Sequence, residues 1–294
     1  MNSGFFLIDK DEGVSSASVV SKLKKKFNFK KVGHTGTLDP FATGLLVCPI
    51  NSATRLSNFV LDTKKVYSGI ILLGKKTDSD DITGNVMSES NDFKFTFNDI
   101  LKIRDSFLGK ITQVPPKLSA IKIDGKRAYD KFRKNEDFEM KERAVEVFSF
   151  EILHLNDNEI SFRICCSKGT YIRSIARDFG EKLGVPSCLK TLRREKTSIF
   201  DVKDSKLISE VNLEDMILWY KIFDNDQKLL LTDDEINKLN VGNDVFLNNL
   251  SISDSYKKKF QENDILYYTS SLNEQKSGVL KKVNGIWTFA VNGI

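Results

Sequence analysis

Apolar positions along this chain recur with two periods, and the changes of period mark out its elements. After Ser15 and Ser16, either of which can cap a helix, Val19, Val20, Leu23 and Phe27 fall at helical spacing while Lys22, Lys24, Lys25 and Lys26 fill the other positions. That pattern predicts a serine-capped amphipathic helix with a basic outer face. Residues 66–73, Val-Tyr-Ser-Gly-Ile-Ile-Leu-Leu, read as a buried strand, and 98–108 read as a helix opening at Asn98 and closing before Gly109. Two stretches rich in Val, Ile and Phe, 144–155 and 160–166, flank Asn156-Asp157-Asn158, the composition of a turn between antiparallel strands. A further helix is predicted from about Thr170 to Leu183. Beyond the polar residues Asn225-Asp226-Gln227-Lys228, short apolar runs at 265–268 and 286–291 with Gly242, Gly278 and Gly285 predict a small, mostly β domain. The whole is a mixed α/β body with a small β appendage, a division natural for 294 residues.

One segment departs from the periodic pattern. Between Pro116 and Arg143 the chain turns polar, with nine Lys or Arg side chains and Tyr129, Phe132 and Phe138 among them. Cations neutralise phosphate and ring faces accept bases, so the mixture suits a nucleic-acid contact, and it suits an exposed hairpin equally well. The net charge of +5 is modest, but residues 1–229 carry 38 basic and 32 acidic side chains against 7 and 8 in 230–294. The surplus lies wholly in the larger part, which permits a polyanionic partner without requiring one. No segment approaches the roughly 18 apolar residues that cross a bilayer. The opening run Phe5-Phe6-Leu7-Ile8 stops at Asp9, too short for a secretory signal, so a cytoplasmic location is expected. Four cysteines without a C-x-x-C pair and only two histidines predict buried thiols and no metal site.

Several chemistries are excluded by what the chain lacks. Gly69-Ile-Ile-Leu-Leu-Gly74-Lys75-Lys76 approaches a phosphate-binding loop, but Lys76 stands where Ser or Thr is needed and the intervening residues are strand-forming. There is no H-E-x-x-H and no Gly-x-Ser-x-Gly, and two histidines make a Ser-His-Asp triad a poor candidate. A cofactor-free carboxylate mechanism stays open. Residues 33–44, Gly-His-Thr-Gly-Thr-Leu-Asp-Pro-Phe-Ala-Thr-Gly, surround one acid, Asp39, with glycines and hydroxyls, and Pro40 favours an extended backbone before it. Taken alone, Asp39 reads as a turn former or the cap of a following helix.

The segment Gly33-His34-Thr35-Gly36-Thr37-Leu38-Asp39-Pro40 closely resembles the signature of the TruB family, the bacterial tRNA pseudouridine-55 synthases. The resemblance continues in Leu7-Ile8-Asp9-Lys10 and Gly13-Val14-Ser15-Ser16, in Ala42-Thr43-Gly44-Leu45-Leu46, Thr54-Arg55-Leu56 and Lys65-Val66-Tyr67. It extends through Gly74 and Thr77-Asp78-Ser79-Asp80-Asp81, Gln113-Val114-Pro115-Pro116, Ser119-Ala120, Gly125-Lys126 and Tyr129, to Cys166-Ser167-Lys168-Gly169-Thr170-Tyr171-Ile172-Arg173-Ser174 and Leu192-Arg193-Arg194. These matches are collinear over about the first 200 residues. Two departures are visible: Asp11 where the family often has Pro, and Thr37 where it often has Ala.

The resemblance implies an α/β (α+β) fold with a mixed, largely antiparallel sheet flanked by helices, in a catalytic domain over 1–228. It implies a small PUA-like domain over 229–294 and an RNA-gripping insertion at about 117–143. The same resemblance makes Asp39 the catalytic aspartate. It has Tyr67 stack on the target uracil, Arg173 pair with Asp39, and Asp81 hold Arg173 as well. Tyr171 and Leu192 line the pocket, and His34 helps disrupt the RNA loop as the target base leaves its stack. The implied partner is the T stem-loop of tRNA, without guide RNA, metal or cofactor, and the protein is expected to be a monomer. Breaking a uracil–ribose bond develops positive charge on the sugar, which calls for an anion at neutral pH, and an Arg beside an Asp favours its charged form. Attack at the anomeric carbon, addition to the uracil and a glycal route all remain open. On pattern alone Tyr67 is a core aromatic and Arg173 a helix-surface residue paired with an acid such as Asp178. Two rival readings also stand: an RNA-folding factor with a dispensable aspartate, and a pseudouridine synthase acting on another RNA.

Overall fold

The structure is a computed structural model that describes residues 3–240 except 62, 93, 135, 225 and 226, together with 264–270, 277–284, 286–292 and 294. Gly242, Gly285 and the Asn225-Asp226 pair of the inter-domain stretch lie outside the described residues. The chain begins with β1 (Gly4–Lys10) and α1 (Ser16–Phe27). Of the two candidate serines, Ser15 caps α1, accepting from the Ser18 N–H, while Asn28 at φ 52° ends the helix with its N–H on the Lys24 carbonyl. Val19 and Leu23 are buried, and Lys22, Lys24, Lys25 and Lys26 face solvent. Next come β2 (Thr43–Ile50), α2 (Ser57–Leu61), β3 (Lys65–Leu73) and the hairpin β4 (Lys75–Thr77) with β5 (Val86–Glu89).

The next helix, α3 (Phe97–Asp105), starts one residue before the predicted Asn98. Thr96 forms a reciprocal cap with Asp99, each taking the other's backbone N–H, and this outcompetes Asn98. The helix also stops at Asp105, and Ser106 to Leu108 pass to Gly109 in turns. Then follow β6 (Gly109–Gln113), β7 (Lys122–Ile123), β8 (Lys126–Arg127), α4 (Ala128–Arg133), β9 (Arg143–Asn156), β10 (Glu159–Cys166) and α5 (Ile172–Leu183). The turn between β9 and β10 is the predicted one, with Asp157 at φ 45°. The polar excursion is an exposed hairpin, β7 with β8, followed by α4, and the Arg127 and Arg133 guanidinium groups each lie 5.7 Å from the Tyr129 ring.

With β11 (Ser187–Thr197), β12 (Phe200–Asp201) and β13 (Ile217–Leu218), the body forms one sheet in the order β13-β1-β2-β11-β3-β10-β9-β6, β12 pairing with β11. It is mixed and largely antiparallel, the exception being β2 beside β11, where Thr43 and Gly44 lie parallel to Arg193 and Arg194. One face is covered by α1, α3 and α5 through Val19, Leu23, Ile100, Ile175 and Phe179 packed with Tyr67, Ile71 and Phe162. Among the described residues, the reverse face over β3 and β10 is only partly covered. Accordingly β3 is not buried throughout: Lys65, Tyr67, Ile71 and Leu73 are covered, whereas Val66, Ser68 and Ile70 are only half-buried.

At the parallel junction Gly44 has φ 97°, and a Cβ there would lie 2.4 Å from the Arg194 carbonyl oxygen. Gly44→Ala combines left-handed strain with a backbone clash and is expected to cost about 2–3 kcal/mol. Urea unfolding measures this; an unchanged midpoint at constant slope contradicts it.

Among its described residues the tail is largely β, as its pattern predicts, with a helix that the pattern did not show. Its elements are β14 (Lys228–Leu231), α6 (Asp233–Asn240), β15 (Ile265–Ser270), β16 (Ser277–Val283) and β17 (Ile286–Asn292), the strands pairing in that order. Leu231, Ile236, Leu266, Tyr268, Leu280 and Trp287 make its own core. Tyr267, Val279 and Val291 join Trp219 and the back of β1 and β2, at Phe5, Leu7, Leu45 and Val47, in a second shared cluster. The four cysteines are free; Cys48, Cys166 and Cys188 are buried as expected, and Cys165 is partly exposed.

Candidate active site

The loop carrying Asp39 is held from several directions. Gly33 and Thr35 donate backbone N–H groups to the Pro49 and Val47 carbonyls of β2, both at 3.0 Å. Ser16 at the start of α1 accepts the Leu38 N–H and donates to the Leu38 carbonyl, both at 2.9 Å. Pro40 has no N–H to give, but its carbonyl accepts from the Gly13 N–H at 2.8 Å and the Lys10 ammonium at 3.1 Å. Lys10 is buried and also caps the Asp11 and Val14 carbonyls. Asp11, which stands where the resembled family often has Pro, leaves this anchor in place, because the bond uses its backbone carbonyl. On the β11 side Arg194, 1% exposed, donates to the Gly36 and Leu45 carbonyls at 3.0 and 2.7 Å.

Asp39 caps no helix. The Ala42 N–H returns to its carbonyl at 3.1 Å, and the chain enters β2 at Thr43. The carboxylate is left for another partner, 134 residues along: Arg173, whose Nη2 donates to Oδ1 at 3.1 Å and whose Nε lies 2.9 Å from Oδ2. One donated bond and one close ion contact, on different oxygens, fix orientation as well as charge. Arg173 is buried, so it is not the helix-surface residue that its spacing suggested, and Asp178 is paired instead with Arg177. Its Nη1 reaches the Ser79 carbonyl at 3.0 Å and Asp81 Oδ2 at 3.4 Å, and its Nη2 also reaches the Leu118 carbonyl at 3.1 Å. Asp81 is fixed in turn by Ser79 and by the Thr83 hydroxyl and N–H. One side chain thus gathers the Asp39 loop, the turn after β4 and the start of the excursion onto the first turn of α5.

The other residues implied by the resemblance occupy graded positions around this pair. Tyr67, 8% exposed, lies in β3 between Ile164 of β10 and Arg194 of β11. Burial raises its phenol above the ordinary value, and the nearby Asp39 charge adds to that. Tyr171 immediately precedes α5; the Gln113 side-chain amide clamps its backbone at both N–H and carbonyl, and Arg143 lies 5.8 Å from its ring. Leu192 is buried opposite Gly69 in the same core as Tyr67 and Leu38. His34 stands apart at the start of the loop; burial lowers its pKa, and its Nδ1 is enclosed without a hydrogen-bond partner. Surface depressions of about 390 and 400 Å³ are lined by neither Asp39 nor Arg173. The Asp39 side chain nonetheless keeps a third of its surface accessible.

Electrostatics alter one expectation. Burial raises the Asp39 carboxyl above the ordinary carboxylate value, and Arg173, with Lys10 more weakly, pulls against that rise. The arginine acts in the direction expected, but loss of hydration outweighs it. If the anion is the working form, turnover falls on acidification as pH drops through the raised pKa, earlier than for a free carboxylate at 3.8. A pH profile of single-turnover rate tests this; a flat rate from about pH 4 to about pH 7 contradicts it.

Lys10, Ser16, Gln113 and Arg194 support the site without having been assigned roles from sequence. Each was visible only as a member of a matched motif, Ser16 also as a candidate helix cap, and no periodic signal marks any of them as part of a site.

Comparison with known proteins assigns the chain to a family. A family model described as TruB family pseudouridylate synthase (N terminal domain) matches residues 24–172. A protein of Acholeplasma laidlawii named tRNA pseudouridine synthase B is 40% identical over 231 residues, 79% of this chain and 82% of the relative. The chain belongs to the TruB family. Another member of the family, the tRNA pseudouridine synthase B of Endomicrobium trichonymphae, is 41% identical over 215 residues, 73% of this chain and 94% of that one. Among solved structures, one described as a Cbf5-Nop10-Gar1 complex superposes with a TM-score of 0.68 over 99% of this chain and 84% of its own, at 21% identity. That likeness is one of fold.

Proposed function

We propose that this TruB-family chain isomerises the uridine at position 55, in the T loop of tRNA, to pseudouridine, with Asp39 as its catalytic group. The observation that carries the reading is the fork between Asp39 and Arg173 at 3.1 and 2.9 Å, in a loop held by Lys10, Ser16 and Arg194. The reaction breaks the N1–C1′ bond, turns the uracil and forms a C5–C1′ bond with loss of the C5 proton, the proton balance being closed at N1. It is redox-neutral, so its stoichiometry needs no electron carrier. The anionic carboxylate either attacks the anomeric carbon, adds to the base, or assists loss of a sugar proton, and its orientation by Arg173 serves each.

Reaching a uridine within a folded loop requires its extrusion, paid in unstacking free energy of a few kcal/mol. In this reading Tyr67 stacks on the extruded uracil, Tyr171 and Leu192 line the pocket, Asp81 holds Arg173, and His34 helps disrupt the RNA loop as the base leaves its stack. The basic hairpin and α4 within 117–143 grip the RNA backbone without a guide RNA. We take 1–228 as the catalytic domain and 229–294 as a PUA-like RNA-binding domain with little electrostatic weight, in a monomeric, cytoplasmic protein.

The test uses unmodified tRNA transcript labelled at uridine C5. Release of label, and pseudouridine mapped to position 55 alone, is the expected result; a transcript left unchanged, or modified elsewhere, overturns the assignment. The affinity for tRNA should fall steeply as salt rises, because phosphate contacts release counterions. A salt-independent affinity contradicts the role given to the basic surface.

A further inference from the structure

Arg173 does not hold its surroundings alone. One helical turn further along α5, on the same face, Arg177 repeats its pattern of contacts. Arg177 Nη1 donates to Asp80 Oδ2 at 2.8 Å, and Asp80 sits between Ser79 and Asp81, the two residues of that turn that Arg173 holds. Its Nη2 donates at 2.9 Å to the Val114 carbonyl, which also takes the Ser174 hydroxyl at 2.8 Å; Leu118, four residues on, accepts from Arg173. The turn after β4 and the segment after β6 are therefore each tied to α5 by both arginines.

The pair is enclosed, with Arg177 and Asp80 side chains 15% and 10% exposed, and Asp80 adopts φ 62°, a conformation that an Asp tolerates only at some cost. Backbone pairing reinforces the turn on its other side: the Leu189 N–H donates to the Asp80 carbonyl and the Ile82 N–H donates to the Leu189 carbonyl. A guanidinium closes several bonds at once because its donors are fixed in one plane.

We propose that Arg177 and Asp80 are positioning residues for the isomerisation: their ion pair sets the turn and the 113–119 segment against α5, so that Arg173 presents its fork to Asp39. Neither residue contacts Asp39. The inference rests on the proposed function and adds a requirement to it, that catalysis depends on a second arginine one turn removed from the first.

The experiment compares Arg177→Met, Arg177→Lys and Asp80→Asn with the parent in single-turnover pseudouridine formation at saturating tRNA, in tRNA affinity and in thermal unfolding. Arg177→Met is expected to lower turnover by roughly tenfold or more while affinity stays within about twofold, since the loss is one of orientation. Arg177→Lys should recover part of the rate, because its ammonium can meet Asp80 but not Asp80 and Val114 together. A folded Arg177→Met that turns over within about twofold of the parent overturns the role, as does a loss confined to affinity. If Arg177→Met does not fold, the near-isosteric Asp80→Asn is judged by the same two criteria. A parent chain that makes no pseudouridine overturns the proposed function and this role with it; an active parent with equally active variants overturns this role alone.

Discussion

Asp39→Asn is expected to lower pseudouridine formation by about ten-thousand-fold or more, the scale on which removing a covalent or charge-stabilising catalytic group acts. The substitution keeps the shape of the side chain and an oxygen facing Arg173, but the amide cannot be an anion. Arg173 retains Asp81 and the Ser79 and Leu118 carbonyls, so the local frame has other supports. The loop keeps its contacts from Lys10, Ser16 and Arg194, none of which uses the carboxylate. Affinity for tRNA should therefore stay close to that of the parent, which separates chemistry from binding. Equal turnover by the two proteins places the chemistry elsewhere and returns the loop to a structural role. An RNA-folding activity retained by Asp39→Asn, in a parent that makes no pseudouridine, supports the rival reading of an RNA-folding factor.

The elements most legible in the sequence are those fixed by neighbours in the chain. The basic helix after Ser15 and the turn at Asp157 follow from capping and turn chemistry within four residues. The start of α3 was missed by one position because two cap candidates compete, and the decision lies with Asp99, which completes a reciprocal cap only with Thr96. The partly covered face of β3 was not legible, since nothing in an apolar run states which other elements will cover it.

The site was legible through resemblance and only weakly through pattern. Asp39 and Arg173 are 134 residues apart, and α5 offers Arg173 a plausible local acid in Asp178. The structure gives Asp178 to Arg177 and turns Arg173 inward. No periodicity encodes that exchange. Nor does sequence reveal how much hydration a carboxyl loses or that a second acid stands near it, and this is why Asp39, favoured as an anion by its arginine, is raised instead, by loss of hydration first and by the Asp81 charge as well.

Arg173→Met should be the most destabilising single substitution in the site, and it should lower the rate as well. It removes the cation that faces both Asp39 and Asp81 and leaves a 5%-exposed Asp81 carboxylate without it. Breaking a buried ion pair from one side costs about 3–5 kcal/mol, more than the pair itself contributes, because the remaining charge stays desolvated. Three donated bonds go at once, to the Ser79 and Leu118 carbonyls and to Asp39 Oδ1, together with the close contact to Asp39 Oδ2. The rate falls for a second reason. With Arg173 gone, nothing of comparable weight opposes the burial that raises Asp39, so its acid limb moves to higher pH. Alkaline buffer should then recover part of the turnover of Arg173→Met and none of that of Asp39→Asn. Identical pH profiles for Arg173→Met and the parent contradict this account. Arg173→Lys keeps the charge without the planar fork and should fall between the two, its stability loss smaller than its loss of rate.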